Sequence, residues 1–186
     1  KDKKIYISGY FQKHEYIKDI RNDLLIDFAI TDKIEETSKK LLSEINTTNS
    51  ICINIRRADY VTNKNMTAFH GVYGKNYIDN GMSIITDKVD SPHIFIFSDD
   101  MKWCKDNLTF DYPHTFVDHT HKGRKFGQYL FLMSKCKHFI IPNSSFGWWA
   151  AWLCENKNKI VITPSKWFQD PNMVTQGLKP TDWISV

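Results

Sequence analysis

The chain has 186 residues, of which 41% are hydrophobic and 25% are charged, and its formal net charge is +4 at pH 7. This length and composition are typical of a globular protein with a sizeable core, which excludes the fibrous and disordered classes. The basic excess is small and scattered, so nucleic-acid binding is not expected and an anionic small molecule is the better match.

The cysteines and apolar stretches indicate the compartment. The four cysteines form no CxxC pair and have no histidine-paired spacing, so we expect buried, reduced thiols and no structural zinc. No apolar stretch reaches the roughly 18 residues of a membrane span. These features predict a cytoplasmic protein, either free or peripheral at a membrane surface. The first residues already run into a strand-like segment, which is typical of the continuation of a longer protein.

Taken in chain order, the apolar pattern predicts strands that alternate with helices. The predicted strands are residues 4–12, 51–55, 93–97, 115–117, 139–141 and 159–162. The predicted helices are residues 14–25, 32–45, 73–89, 101–107, 126–134 and 143 to about 154. Residues 60–72 and 119–125 are predicted loops, and 164–186 an irregular segment. The alternation is typical of βαβ units around a parallel sheet in one domain, with 1–50 as lead-in and 51–186 as core.

The most informative stretch is the end of the strand at 51–55, where the apolar run stops at Arg56 and Arg57. Ligands of open α/β sheets bind beyond the carboxyl ends of the strands. Two guanidiniums placed there suit a phosphate, because each donates in bidentate fashion and keeps its charge. Asp59 can orient one guanidinium or accept a proton. A surface cluster of salt bridges fits the same spacing, so both interpretations stay open at this point.

Two further strand ends carry polar residues at the same rim of the sheet. Asn143, Ser144 and Ser145 stand between a strand and a helix, where free N–H groups and the helix dipole favour an anion. Ordinary capping by Ser144 or Asn143 is the alternative. The other strand end carries Ser98, Asp99 and Asp100. Its two aspartates could form a metal pair, but a cap of the next helix is the favoured interpretation, and no metal is required.

Histidines and absent motifs narrow the chemistry. His70 and His119 lie in predicted loops at this rim and could move protons near neutral pH, although a loop histidine is commonly just solvated. His138 stands beside a strand and is expected to be structural. The chain lacks GxGxxG, P-loop, HExxH and GxSxG motifs, which disfavours dinucleotide oxidoreductases, P-loop kinases, zincins and α/β-hydrolases.

Five segments are specific in combination: IRRADYV, AFHGV, FIFSDDMKWCK, LMSKCKHFIIPNSSFGWWAAWL and VITPSKWF. Together they resemble glycosyltransferase family 11, the α-1,2-fucosyltransferases that use GDP-fucose. The resemblance implies a Rossmann-like parallel sheet with flanking helices over residues 1–186, the C-terminal donor-binding half of a GT-B-type glycosyltransferase. It also implies inverting transfer of L-fucose from GDP-β-L-fucose to a hydroxyl of a galactose-containing glycan, without a metal or another cofactor.

The resemblance further implies roles for individual residues. Arg56 corresponds to the essential diphosphate contact, with Arg57 and Asp59 in support. The phosphates are also held by the hydroxyls and backbone of Ser144, Ser145 and Phe146. The other donor-binding candidates are Asn54, Ser98, Asp99, Asp100, Asn143 and, for guanine or ribose, Asp118. Inversion needs a base that deprotonates the acceptor hydroxyl, and the candidates are Asp59 and His70.

Three positions depart from the family pattern. Asn54 stands where a histidine is usual, Gly147 where a serine is usual, and Tyr129 where an acidic residue is common. We expect these departures to affect the contact with the nucleotide base or the specificity, and to leave the diphosphate site in place. The family's glycine-rich N-terminal segment has no counterpart here, so the chain is expected to match the later part of the enzyme. The alternative function is a non-catalytic GDP-sugar-binding module that requires a partner segment.

Overall fold

The computed structural model describes residues 4–6, 8 and 13–186, which form a parallel sheet flanked by helices. The strands are β1 (Asn49–Ile55), β2 (Pro92–Ser98), β3 (His114–Val117), β4 (His138–Ile140), β5 (Val161–Thr163) and β6 (Ile184–Ser185). The α-helices are α1 (His14–Ile17), α2 (Arg21–Asp27), α3 (Glu36–Thr47), α4 (Ala58–Thr62), α5 (Lys64–His70), α6 (Lys75–Thr86), α7 (Met101–Asn107), α8 (Gly127–Ser134) and α9 (Ser145–Leu153). Among these described residues, no helix has the length and hydrophobicity needed to span a bilayer.

The strand order places a crevice beside the central strand. All neighbouring strands pair in parallel, in the order β3-β2-β1-β4-β5-β6. This is the order of doubly wound nucleotide-binding sheets, which grow to one side of the first strand and then to the other. The register pairs Ile53 of β1 with Ile96 of β2 on one side and Ile140 of β4 on the other. The segments that follow β1 and β4 therefore diverge from adjacent strand ends.

The apolar run of β1 is buried on both faces, as a central parallel strand requires. Successive side chains point to opposite faces. Cys52 therefore packs in the core that includes residues of α3, α8 and α9, while Ile51 and Ile53 pack in the core formed with α6 and α7. Trp148 and Trp152 of α9 stack with their ring centroids 6.0 Å apart and help to fill the first core. All four cysteines are buried and unbridged, as expected from their spacing.

The α/β fold with a parallel, Rossmann-like sheet and the strands β1–β5 are confirmed, whereas the predicted loop at 60–72 is wrong. The helices α4 and α5 occupy most of that segment. The side chain of Asn63 starts α5, because its Oδ1 accepts the backbone N–H groups of Asn65 at 3.0 Å and Met66 at 3.3 Å. Tyr60 is the one buried residue of the two helices, so they show no apolar period of 3.6 residues in the sequence.

Other segments differ in smaller ways. The strand predicted at 4–12 falls largely outside the described residues, and residues 4–6 and 8 have no regular secondary structure. The helix predicted at 14–25 is divided by a 3-10 turn at Lys18–Ile20. The loop predicted at 119–125 contains two further 3-10 turns, His119–His121 and Arg124–Phe126. The segment 164–186 contains β6, and the N–H of Val186 donates to the carbonyl of Thr163 at 3.0 Å.

His138 in β4 makes the stability of the fold depend on pH. It is buried, and its Nδ1 accepts the backbone N–H of Ile160 at 3.2 Å, which requires the neutral ring. Burial lowers the pKa of His138 below its ordinary value of 6.5. The unfolded chain therefore binds a proton more readily, so the stabilisation is present above about pH 6.5 and is lost as the pH falls below it. We expect the urea concentration at the unfolding midpoint to decrease when the pH is lowered from about 7 to about 5.

The matched variant is His138→Asn, which keeps an acceptor near the position of Nδ1 and does not titrate. Its urea midpoint should fall less than that of the wild type over the same pH interval. Equal falls in the two proteins would contradict the role assigned to His138.

Candidate active site

A cavity of about 810 Å³ lies over the carboxyl ends of β1 and β4, where the strand order reverses. Open α/β sheets bind their ligands at this point, and the volume is in the usual range for small-molecule sites. The predicted site residues that line the cavity are Asn54, Arg56, Asp59, His70, Ser98, Asp99, Asn143, Ser144, Ser145 and Phe146. Those that do not line it are Arg57, Asp100 and Asp118.

Arg56 lies between two carboxylates at the edge of this cavity. Its Nη2 is 2.7 Å from Asp59 Oδ1, and its Nη1 is 2.9 Å from Asp99 Oδ2. Its guanidinium carbon also lies 5.5 Å from the centroid of the Tyr60 ring. The Arg56 side chain is 39% exposed. It is therefore held in one orientation while it stays accessible to a ligand.

Arg57 points away from the cavity and has a different role. Its guanidinium carbon lies 3.9 Å from the ring centroid of Trp103, and its Nε is 3.5 Å from Asp100 Oδ2. Asp100 also caps α7, because its Oδ1 accepts the N–H of Trp103 at 3.1 Å. Arg57 and Asp100 thus fix α7 behind the site, and Arg56 is the member of the arginine pair that faces a ligand.

The start of α9 is open to a ligand. Ser144 occupies the N-cap position, but its side chain makes no capping hydrogen bond. In the part of the chain that the structure describes, the N–H groups of Ser145, Phe146 and Gly147 have no hydrogen-bond acceptor. Unpaired N–H groups at a helix start carry partial positive charge and bind anions. Ordinary capping, the alternative interpretation of these residues, does not occur here.

Asn143 ties three segments together beside that helix start. Its Nδ2 donates to the carbonyl of His70 at 2.7 Å and to the carbonyl of Trp167 at 2.8 Å. The backbone carbonyl of Asn143 in turn accepts the Tyr60 hydroxyl at 3.3 Å. The side chain is 2% exposed. Asn143 therefore positions α5 and the C-terminal segment against the cavity.

Two of the three departures from the family pattern contact each other. Asn54 Nδ2 donates to the carbonyl of Phe97 at 3.3 Å, and its Oδ1 is buried without a hydrogen-bond partner among the described residues. A Cβ atom at Gly147 would lie 2.6 Å from that Oδ1 and 3.3 Å from Ile141 Cβ. No side chain fits at 147 while Asn54 keeps this position. Asparagine at 54 and glycine at 147 thus form one packing unit.

The third departure, Tyr129, holds the ends of two strands together. Its hydroxyl accepts the N–H of Ser98 at 3.3 Å and donates to the carbonyl of Val117 at 2.6 Å. Burial raises the pKa of Tyr129, so the hydroxyl stays neutral. His119, a candidate proton carrier in the sequence, lines the cavity with its Nε2 at 3.0 Å from the carbonyl of Ser98. The side chains of Tyr129 and His119 therefore both hold the backbone of Ser98, one at its N–H and the other at its carbonyl.

Asp118 is used locally. Its Oδ1 accepts the backbone N–H of Thr120 at 2.9 Å and the Thr120 hydroxyl at 2.5 Å. These hydrogen bonds hold the pKa of Asp118 below its usual range. The carboxylate starts the 3-10 turn at His119–His121 and lies outside the cavity lining.

An aromatic wall lines the cavity beside Arg56, and the sequence analysis did not identify it. The rings of Tyr60 and His70 are stacked, with their centroids 4.4 Å apart and an interplanar angle of 7°. The ring centroids of Phe69 and Phe168 are 5.0 Å apart. Burial lowers the pKa of His70, while the nearby Asp59 raises it and Arg56 lowers it. His70 is therefore neutral near pH 7. The sequence places Phe69 and His70 next to each other, but their assignment to a predicted loop gave no reason to expect an aromatic wall.

The sheet order and the cavity define the class of protein. A doubly wound parallel sheet with a guanidinium and a free helix start at its switch point is suited to phosphorylated ligands. Comparison with known proteins agrees, since the family model for glycosyl transferase family 11 matches residues 1–186. The chain belongs to this family.

Several relatives are similar over most of the chain. The O-antigen biosynthesis glycosyltransferase WbnK of Escherichia coli is 34% identical over 184 residues, which cover 96% of this chain and 59% of that protein. An alpha-1,2-colitosyltransferase of Escherichia coli is 30% identical over 178 residues, 96% of this chain and 61% of the relative. The galactoside alpha-(1,2)-fucosyltransferase 2 of Pongo pygmaeus is 24% identical over 156 residues, which cover 80% of this chain and 45% of that protein. The chain thus spans well under two thirds of the length of these relatives.

The contact between Asn54 and Gly147 yields a double-mutant prediction. Gly147→Ser introduces the serine expected from the family resemblance, but its Cβ would overlap Asn54 Oδ1, so we expect a loss of about 1–3 kcal/mol in the free energy of unfolding. In the Asn54→Ala background the overlapping atom is absent, and the same substitution should cost much less. Urea unfolding of the four proteins in this cycle measures the coupling. An equal cost in both backgrounds would show that Asn54 does not set the residue at 147.

Proposed function

We propose that the chain is the donor-binding part of a glycosyltransferase that transfers L-fucose from GDP-β-L-fucose to a hydroxyl of a galactoside, with inversion. One observation carries the proposal. Arg56 and the first residues of α9, Ser145 and Phe146, line a single cavity between the ends of β1 and β4, and the N–H groups of those two helix residues have no acceptor in the described part of the chain. A diphosphate in this cavity would contact both groups at once.

Those groups supply what the leaving diphosphate needs. Negative charge grows on the departing phosphate as the bond to the sugar breaks, and fixed donors that face it stabilise the transition state. Arg56 is oriented by Asp99, and the N–H groups of α9 are fixed by the helix. Because both donors are present without rearrangement of the backbone, we propose that transfer needs no metal ion.

The aromatic wall suits the sugar. A deoxysugar presents a methyl group and C–H faces, which pack well on rings such as Tyr60 and Phe168. The acceptor hydroxyl must lose its proton during inversion, and two candidate proton acceptors line the cavity, Asp59 and His70. Neutral His70 needs no prior deprotonation near pH 7, because burial lowers its pKa.

A second donor, GDP-colitose, is favoured by the similarity to the alpha-1,2-colitosyltransferase, which is 30% identical over 178 residues. Colitose is the 3-deoxy analogue of L-fucose, so the two donors share the diphosphate and methyl contacts. A non-catalytic GDP-sugar-binding module is the remaining alternative. It is favoured by the length of the relatives, since the matched part of WbnK is 59% of that protein.

Arg56→Ala tests the diphosphate contact. Loss of a charged donor should weaken GDP binding by at least about tenfold, and it should slow transfer by about 2–4 kcal/mol if Arg56 meets the leaving group. Isothermal titration calorimetry with GDP measures the first effect. The matched control is Arg124→Ala, since Arg124 is 78% exposed and pairs with Asp32 at 3.5 Å outside the cavity. Unchanged GDP affinity in Arg56→Ala would remove Arg56 from the site.

The choice between the two donors is tested by comparing their binding affinities. We expect GDP-fucose to bind more tightly than GDP-colitose, because a site that hydrogen-bonds the 3-hydroxyl leaves its own polar groups unpaired with the 3-deoxy sugar. Calorimetry with both donors and with GDP alone measures the difference. Tighter binding of GDP-colitose would support the second donor, and no binding of any of them at millimolar concentration would contradict the proposed function.

A further inference from the structure

The Arg56 site contains a conflict that the proposed function must resolve. A single guanidinium is shared by the carboxylates of Asp59 and Asp99, at 2.7 and 2.9 Å. These three side chains carry one positive and two negative formal charges before any ligand arrives, and Lys125 lines the same cavity. A diphosphate brings further negative charge, and like charges at such short range repel strongly. One carboxylate has to leave Arg56 for a diphosphate to take its place.

The two carboxylates are held to different extents. Asp99 is 21% exposed, and its second oxygen accepts the backbone N–H of Arg57 at 2.8 Å. The Asp59 side chain is 42% exposed, although the Oδ1 that meets Arg56 is buried, and in the described part of the chain the side chain of Arg56 is its one charged partner. A half-exposed ion pair contributes little to stability and opens at small cost. Asp59 is therefore the carboxylate that a competing anion displaces.

We propose that the donor diphosphate displaces Asp59 from Arg56, and that the released carboxylate then accepts the proton of the acceptor hydroxyl. This inference rests on the proposed function. Asp99 stays in place and keeps the guanidinium oriented, while Nη2 passes from Asp59 to a phosphate oxygen. The same arginine thus binds the donor and, in doing so, frees the base.

The acceptor oxygen forms a bond to the anomeric carbon of the donor sugar, and the bond from that carbon to the diphosphate oxygen breaks. The electron pair of the broken bond leaves with GDP, and the hydroxyl proton goes to Asp59. Before the donor binds, the contact between Asp59 Oδ1 and Arg56 Nη2 holds the carboxylate beside the guanidinium, where the diphosphate has to bind. We therefore expect productive binding to be ordered, with the donor first.

Asp59→Asn separates this role from a structural one, because the two effects have opposite signs. The variant removes the competitor for Arg56, so GDP should bind about two- to fivefold more tightly, the range expected for release of a half-exposed ion pair. It also removes the proton acceptor, so transfer should fall at least about 100-fold. Calorimetry with GDP and a transfer assay with saturating GDP-fucose measure the two effects.

Two further variants serve as controls. Asp99→Asn removes the same charge but also the anchor of the guanidinium, so GDP should bind more weakly. Asp79→Asn breaks an ion pair of similar exposure outside the cavity, Lys75 Nζ to Asp79 Oδ2 at 2.6 Å, and should change neither measurement.

Each outcome decides the matter. Tighter GDP binding with lost transfer in Asp59→Asn supports the proposal. Unchanged or weaker GDP binding in that variant overturns the proposal, and so does transfer at the wild-type rate. In both cases, GDP binding by the wild-type chain leaves the proposed function standing. Absence of GDP binding to the wild-type chain would overturn both.

Discussion

Asp99 determines where the functional side chains lie at the rim of the sheet. Its Oδ1 accepts the backbone N–H of Arg57 and its Oδ2 contacts Arg56 Nη1, so one carboxylate fixes both the backbone and a side chain that follow β1. The register brings it there, because β1 and β2 are paired along their length up to Ile55 and Ser98. A slip by one residue would turn every side chain of a strand to the other face. The position of the guanidinium thus depends on strand pairing.

The start of α9 stays open because the N-cap residue, Ser144, makes no capping hydrogen bond with its side chain. The amide of the preceding Asn143 bonds to the carbonyls of His70 and Trp167. The consequence is a division of tasks between adjacent residues. Asn143 joins the segments that enclose the cavity, and the residues that follow it offer their N–H groups to a ligand.

Much of this arrangement was predictable, since buried parallel strands are short apolar runs and the polar residues that end them meet at one rim. Arg56, Asp99 and Ser144 were found in this way. The direction of the Arg57 side chain could not be predicted, because spacing alone does not reveal that it turns toward Trp103.

The aromatic wall could not be predicted for a different reason. Three of its rings come from α4 and α5, which are too short and too exposed to leave a periodic pattern, and the fourth, Phe168, comes from the segment between β5 and β6. The hydrogen bonds of Tyr129 to Ser98 and Val117 were equally out of reach, since they join residues that are distant in the chain. Such contacts follow from tertiary packing, which a single sequence does not contain.

The packing of Asn54 against Gly147 restricts how this site can evolve. Each residue makes the other acceptable: the missing Cβ at 147 leaves space for the amide, and the amide then blocks any larger residue there. A lineage that carries this pair would have to change position 54 before it could regain a side chain at 147. Substitution at position 54 before substitution at position 147 is therefore the favoured mutational order.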